Sequence, residues 1–318
     1  MTTSGSVDFA STRTNLIEDA LRKCSVLREG VSASSSQLTT GARALNLWIK
    51  SPQVDGMPLW AIKEGAVFPI HDVNSVTLGP SGGHAATTWV ETQLASAGAS
   101  GATSLTVDSI TGIAASDQIG VELDSGNMHW TTVSGAPAGT TVVLATGLAS
   151  AAAVDSHVYT YTATTGRITR PLKVIQASSF DYETDTEQPV NIISRDEWIR
   201  LSDKTPESDR VNQIYYDPQL TRGVLYFYPR FRNGNSIIKI WFRRPLEDMD
   251  AAGDTLDYPQ EWEAAVMWGL AASLGYEFGV PARKQTMLEG KATQERMLAE
   301  SIGNEEGSVF FMPERRSR

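Results

Sequence analysis

The sequence predicts an α+β protein: a helical host with a β meander, interrupted by an inserted small all-β barrel or sandwich. Three observations predict it. Apolar residues recur at helical spacing near both ends of the 318-residue chain. Short β-branched runs alternate at period two in the middle. Finally, the 103 residues between Lys63 and Arg167 contain no lysine or arginine, yet hold Glu64, Asp72, Glu91, Asp108, Asp117, Glu122, Asp124 and Asp155. That stretch carries −8 of the chain's formal charge of −10, so a nearly neutral host has received an acidic insert. The expected organisation is an N-terminal helical part (1–75), the acidic β domain (76–165), the rest of the host (166–303) and an extended tail (304–318).

At the N-terminal side, residues 14–27 place Leu16, Ala20, Cys24 and Leu27 at helical spacing, with Thr14 as N-cap. A second helix is expected over 36–50, its apolar side being Leu38, Ala42, Leu45, Trp48 and Ile49, and Ser51-Pro52 ends it because proline cannot continue the ladder. The two form a hairpin. Leu59 to Ile62 and Ala66 to Ile70 are short apolar elements that feed the insert. Within the insert, the runs at 104–107, 119–123, 140–144 and 158–161 read as strands separated by glycines.

After the insert, Trp198 and Leu201 face inward on a short helix over 196–202. Runs at 211–216, 223–229 and 237–242 predict a three-stranded antiparallel meander, with turns at Asp217-Pro218 and Asn233-Gly234-Asn235. From Asp257 the period becomes helical, with Pro259 in the first turn and Trp262, Ala265, Val266, Gly269, Leu270, Leu274 and Phe278 on one face. A more polar helix follows over 283–301, where Met287, Leu288, Met297 and Leu298 are the large apolar residues. The last segment carries one apolar cluster, Val309, Phe310, Phe311 and Met312, and has too little around it to fold alone.

Enzyme signatures are missing from the sequence, and no catalytic, cofactor-binding or metal-ligating set is assigned: there is no Gly-rich phosphate loop ending in Gly-Lys-Ser/Thr, no dinucleotide fingerprint, no His-Glu-x-x-His and no Cys-x-x-Cys. His71, His84, His129 and His157 share no ligand-like spacing, and His84 beside Gly82-Gly83 reads as a solvent-exposed turn histidine. Asp181, Glu183, Asp185 and Glu187 occupy every second position, which in an extended segment makes a solvated acidic face. Cys24, the single cysteine, reads as a small core residue. The N-terminus has no basic or apolar leader and no apolar run approaches a membrane span, so the expected protein is made in the cytoplasm with no membrane partner. A lysine-free acidic module is a poor phosphate binder.

The host segments resemble a known family. Ala44-Leu45-Asn46-Leu47-Trp48-Ile49-Lys50, Gly56-Met57-Pro58-Leu59-Trp60-Ala61-Ile62, Thr169-Arg170-Pro171-Leu172-Lys173-Val174, Ile193-Ser194-Arg195-Asp196-Glu197-Trp198, Tyr215-Tyr216-Asp217-Pro218 and Gly223-Val224-Leu225-Tyr226-Phe227-Tyr228-Pro229 are similar to the head-to-tail adaptor proteins of tailed phages, especially short-tailed ones. The resemblance covers roughly 10–75 and 166–300, as ordered short blocks without a catalytic signature. It implies a non-enzymatic virion protein at the portal–tail junction: a homo-oligomeric ring, commonly a dodecamer, docked to the portal ring above and the tail nozzle below, through which DNA passes without specific binding. It implies portal docking by the tail, here Val309, Phe310, Phe311, Met312, Arg315, Arg316 and Arg318, and ring contacts through the helices, here Leu45, Trp48, Trp262 and Trp268. Tail fibres are a further partner for the β insert. An alternative from another class is a polysaccharide-binding or -cleaving virion protein whose insert contacts sugar through Trp89 and Trp130.

Overall fold

A computed structural model describes residues 9–51 and 59–302, and the fold is mixed α and β. In chain order the elements are α1 (Arg13–Lys23), α2 (Ser35–Lys50), β1 (Ile62–Val67), β2 (Ser75–Leu78), β3 (Ala85–Ala86), β4 (Val90–Gln93), β5 (Ser104–Thr106), β6 (Gln118–Glu122), β7 (Met128–Thr132), β8 (Thr141–Val143) and β9 (His157–Tyr161). They continue with β10 (Lys173–Asp181), β11 (Thr186–Pro189), β12 (Asn191–Ile192), α3 (Arg195–Arg200), β13 (Glu207–Ser208), β14 (Gln213–Pro218), β15 (Gly223–Tyr228), β16 (Arg230–Phe231) and β17 (Ser236–Arg243). Helices α4 (Glu263–Glu277) and α5 (Ala282–Ile302) follow. The described residues divide into two compact units, one made of 9–51, 59–61 and 246–302 and the other of 62–245. The boundaries read from the sequence at 75 and 165 do not coincide with this division. The acidic stretch and the host strands belong to one unit, and the helices from both ends belong to the other.

In the helical unit, α4 is nearly all small or apolar, burying Ala265, Val266, Gly269, Leu270, Ala271, Leu274 and Gly275, and it packs against α1, α2 and α5. Glycines permit the close approaches: a Cβ on Gly41 would lie 2.4 Å from Ile17 Cγ2, and one on Gly269 would meet the Trp48 indole at 2.1 Å. The cap of α1 is Thr12, not Thr14. Thr12 has extended backbone and its hydroxyl accepts from the Asn15 amide at 3.4 Å, whereas the Thr14 hydroxyl donates to the Ala252 carbonyl at 3.2 Å. The helix stops at Lys23 and Ser25 takes a positive φ of 59°, so Leu27 reaches the core from beyond the helix. Ser34 caps α2 with a reciprocal Gln37 side chain, a capping box that places this N-terminus. Cys24 is buried, its thiol 3.0 Å from the Ala271 carbonyl.

The β unit is built from two stacked sheets with a module set between their strands in sequence. One sheet has the order β11-β10-β17-β1-β3 and the other β12-β14-β15-β2. They share a core of Val67, Ile238, Ile240 and Phe242 from one and Val76, Leu78, Ile214, Leu225 and Phe227 from the other. The expected meander is corrected here. β14 and β15 do form the antiparallel hairpin, but the second neighbour of β15 is β2, and β17 runs in the other sheet between β1 and β10. The reason is that the chain leaves β15 through Pro229, which has no amide to donate, and pairs β16 with β13 before β17 begins.

The acidic module comprises β4 to β9. Its pairs β4-β9-β6-β7 and β5-β8 are joined by the single bridges Leu94–Val107 and Val133–Leu144, so six strands form a closed circuit. Leu105, Val107, Ile119, Val121, Val142, Leu144 and Val158 fill its interior. The alternation read from the sequence therefore marks the inward positions of β5, β6 and β8. The acidic alternation at 181–187 is corrected. Asp181 ends β10, Thr186 begins β11, and the residues between them form the hairpin turn, with Asp185 at φ 48°. Glu183 there accepts from Asn235 at 2.6 Å and Glu187 pairs with Lys239 at 3.3 Å, so the carboxylates diverge to separate partners.

Two glycines in the helical unit should respond oppositely. Gly269→Ala overpacks the Trp48 contact and should lower stability by about 1–3 kcal/mol. Gly290→Ala, at an open position inside α5, should raise it by about 0.5–1 kcal/mol. Urea unfolding of both variants checks the pair, and similar shifts of one sign would contradict the packing described.

Candidate functional site

The densest assembly of functional side chains lies in the β unit, where the module meets the host sheets. It grows around Phe68, fully buried just past the end of β1. Its ring stacks at 5.5 Å on Tyr161 and lies 5.6 Å from Tyr159, 5.7 Å from Trp130 and 6.3 Å from Trp89. Alternation on β9 directs Tyr159 and Tyr161 to one side and Val158 into the module. The polar tips of these rings are hydrogen-bonded. The Trp89 indole N–H donates to the Tyr182 hydroxyl at 3.0 Å, Trp130 donates to the Pro69 carbonyl at 3.1 Å and the Tyr159 hydroxyl donates to the Gly234 carbonyl at 2.7 Å. Each bond crosses from module to host. Such buried aromatic tips need a partner, and here the partner is on the other side of the seam.

Two histidines sit at this seam in opposite electrostatic settings. His84 stacks flat on Trp130, ring centroids 3.8 Å apart, and its Nδ1 is 3.0 Å from the Tyr161 hydroxyl. Burial, aided by the charge of Arg167, pushes its pKa down to about 4. The exposed turn histidine expected from the sequence is therefore corrected: the ring is partly buried and neutral, because an aromatic 46 positions later covers it. His157 has its Nδ1 2.9 Å from the Glu91 carboxylate. Burial pulls its pKa down, but the Glu91 hydrogen bond and the charges of Glu122, Glu91 and Glu183 outweigh this and raise it. Glu122 also receives the Gly234 amide at 3.0 Å, tying β6 to the turn before β17. Burial pushes Tyr159 well above its ordinary range and Tyr161 up to about 12, so both phenols stay protonated. Chemically, the arrangement is a clamp: stacked rings closed by polar bonds, with one neutral histidine and one histidine–carboxylate pair. Among the described residues no group of three or more His, Cys, Asp or Glu could hold a metal ion.

The residues named for ring contacts fall in the helical unit. Leu45 and Trp262 are 0% and 2% exposed, so their side chains belong to the core. Trp48 packs at Gly269, and Trp268 lies partly exposed beneath Lys23, whose Nζ is 5.1 Å from the indole centroid. The sequence could not separate a core stripe from a contact stripe. What it missed is the sorting of the apolar residues of α5. Leu288 is buried, while Met287, Met297, Leu298 and Ile302 are exposed, as are Leu47 on α2 and Tyr276 on α4. The tail residues Val309, Phe310, Phe311, Met312, Arg315, Arg316 and Arg318 lie outside the described residues. Among the described residues no helix is long and apolar enough to cross a membrane. In comparisons with known proteins, the chain matches no family model and no curated protein.

Phe68→Ala should cost about 3–5 kcal/mol by removing the ring on which the seam stacks; chemical denaturation followed by near-ultraviolet circular dichroism measures it. The pH response has a definite sign. The folded pKa of His84 lies below the unfolded 6.5, so the contribution of the neutral ring is complete above pH 6.5 and is lost as pH falls through 4. The loss amounts to about 3 kcal/mol. His157 works the other way, contributing below pH 6.5 and losing its contribution as pH rises through its raised value. His84→Gln should therefore flatten stability between pH 6.5 and 4; a variant curve parallel to the wild type would contradict the assignment.

Proposed function

We propose that this chain is a structural virion protein, a head-to-tail adaptor that assembles as a ring beneath a phage portal and joins it to the tail nozzle. The reading rests on the ordered host blocks that resemble that family. The observation that supports it best is where apolar surface is left uncovered. Of thirteen exposed large hydrophobic residues among those described, eight (Phe9, Val31, Leu47, Tyr276, Met287, Met297, Leu298 and Ile302) belong to the helical unit, although it is the smaller of the two. Uncovered apolar side chains, six of the eight on α2, α4 and α5, suit contacts between copies and with neighbouring rings.

In this account the protein acts through interfaces and is not an enzyme. The ring carries commonly twelve copies at the portal–tail junction of the virion, after synthesis in the host cytoplasm. DNA passes through without specific binding, since a chain of net charge −10 offers phosphate little attraction. Val309, Phe310, Phe311 and Met312 with Arg315, Arg316 and Arg318 dock to the portal. Burying each phenylalanine contributes about 1.5–3 kcal/mol, offset by the cost of ordering the segment, so a single tail binds weakly and a ring of tails binds by avidity. The β module projects its acidic, Ser/Thr-rich surface to solvent or a tail fibre. A sugar site through Trp89 and Trp130 finds less support, because both indoles pack on Phe68 and donate inward.

Co-sedimentation with the cognate portal ring tests the docking role. Full-length chain should sediment with portal, and removal of residues 304–318 should abolish this while leaving circular dichroism and thermal unfolding unchanged. Undiminished association of the shortened chain would count against it.

A further inference from the structure

Asn233-Gly234 is the one Asn-Gly dipeptide of the chain, and it lies in the turn that leads into β17. Close approach requires the glycine: a Cβ on residue 234 would lie 2.6 Å from Met128 Sδ and 2.9 Å from Glu122 Cδ. The amide of this buried glycine donates to Glu122 Oε1 at 3.0 Å, and its carbonyl accepts from the Tyr159 hydroxyl at 2.7 Å. Glu122 on β6 and Tyr159 on β9 both belong to the acidic module, so the module grips the backbone of Gly234 at both of its polar atoms. Asn233 is held less completely. Its Nδ2 donates to Asp209 Oδ1 at 3.3 Å, while its Oδ1 is buried with no hydrogen-bond partner among the described residues. An unpaired buried oxygen is costly, which sets this side chain apart from the satisfied polar tips around it.

We propose that Asn233-Gly234 is a self-modification site that the Glu122 carboxylate holds closed, and that its reaction releases the module from the Gly234 turn in one direction only. An Asn-Gly pair carries its own reactants, because the residue after the asparagine has no Cβ to hinder ring closure. The Gly234 nitrogen bonds to Asn233 Cγ, the Cγ–Nδ2 bond breaks, and Nδ2 leaves as ammonia with the proton that the Gly234 amide gives up. Water then opens the imide ring at either carbonyl, giving aspartate or the isoaspartyl linkage. No oxidant or cofactor enters. The attacking nitrogen must first shed its proton, and a carboxylate 3.0 Å away opposes negative charge on that atom while holding its hydrogen in a charge-assisted bond. The site is therefore shut while Glu122 is in place and opens when the seam opens. Once ammonia has left, the grip is not restored. The imide nitrogen has no hydrogen to offer Glu122. Hydrolysis to aspartate returns that hydrogen but sets a carboxylate against Asp209, where an amide donated before. The isoaspartyl product adds one methylene to the main chain and moves Gly234 away from Tyr159. The inference stands apart from the adaptor reading, since it concerns only how the module is joined to its own host sheets.

Incubation of the full-length chain at mildly alkaline pH tests the proposal, with conversion of Asn233 read by peptide mass spectrometry after digestion in acid, which stops the reaction. The folded chain should convert about tenfold or more slowly than the same chain in urea, since a hydrogen bond to a charged acceptor has to break first. Glu122→Gln should remove most of that protection. Val142→Ala, a loss of buried packing in the same module, should leave conversion near the wild-type rate while the chain stays folded. Equal rates for folded and unfolded wild type would overturn the proposal. So would acceleration by Val142→Ala that matches that of Glu122→Gln, which would assign the rate to general loosening of the module. The release is read separately. Asn233→Asp, equivalent to one product, should speed hydrogen exchange of the Gly234 amide by about tenfold or more; exchange at the wild-type rate would show that conversion leaves the seam closed and would overturn the one-way release.

Discussion

The pairing of β1 with β17 is the constraint on which the β unit depends. Six residue pairs in register, from Ile62 opposite Arg243 to Val67 opposite Ile238, bring the first and last strands of the unit side by side. The chain therefore leaves the helical unit and returns to it on adjacent strands. β17 is central because both of its edges are used, by β1 and by β10, and because Ile238, Ile240 and Phe242 point into the core shared with the second sheet. Closing so long an excursion costs little more than closing a short one, since the entropy grows only with the logarithm of loop length. That is why the two sheets can carry β4 to β9 between their strands: the cost is set by β1 and β17, not by what lies between them.

The module in turn is held by chemistry that its own composition makes necessary. Lacking lysine and arginine, the module sets Glu91 against its own His157, while Glu122 takes the amide of Gly234 from outside the module. Its small strands leave little apolar area for a second interface, and the seam concentrates what there is in large rings. Around the Phe68 ring, the side chains of Trp89, Trp130, Tyr159, Tyr161 and Tyr182 combine apolar area with polar tips that can bond across. The result fixes the module by a few directional contacts.

Local features were legible in the sequence and non-local choices were not. The period of α2, its stop before Pro52 and the alternation of β5, β6 and β8 are properties of neighbouring residues, and they appear where expected. The partner of β15 is a choice among distant strands, and β2 lies about 145 residues upstream with nothing in its own sequence to announce the pairing. Asp181, Glu183, Asp185 and Glu187 alternate as a strand would, yet one positive φ at Asp185 turns the same spacing into a hairpin. His84 looked exposed because its glycine neighbours are visible in sequence and Trp130 is not. Trp262, named for ring contacts through the resemblance, is buried within the helical unit; Met287 and Leu298 were seen as apolar but not as outward-facing.

Native mass measurement of the full-length chain mixed with a portal ring decides whether the proposed adaptor role holds. If it does, the portal gains one fixed, symmetry-matched number of copies, commonly twelve, with no partly filled species at saturation. A portal mass that stays unchanged, or that rises by a continuous spread of copies, would contradict it.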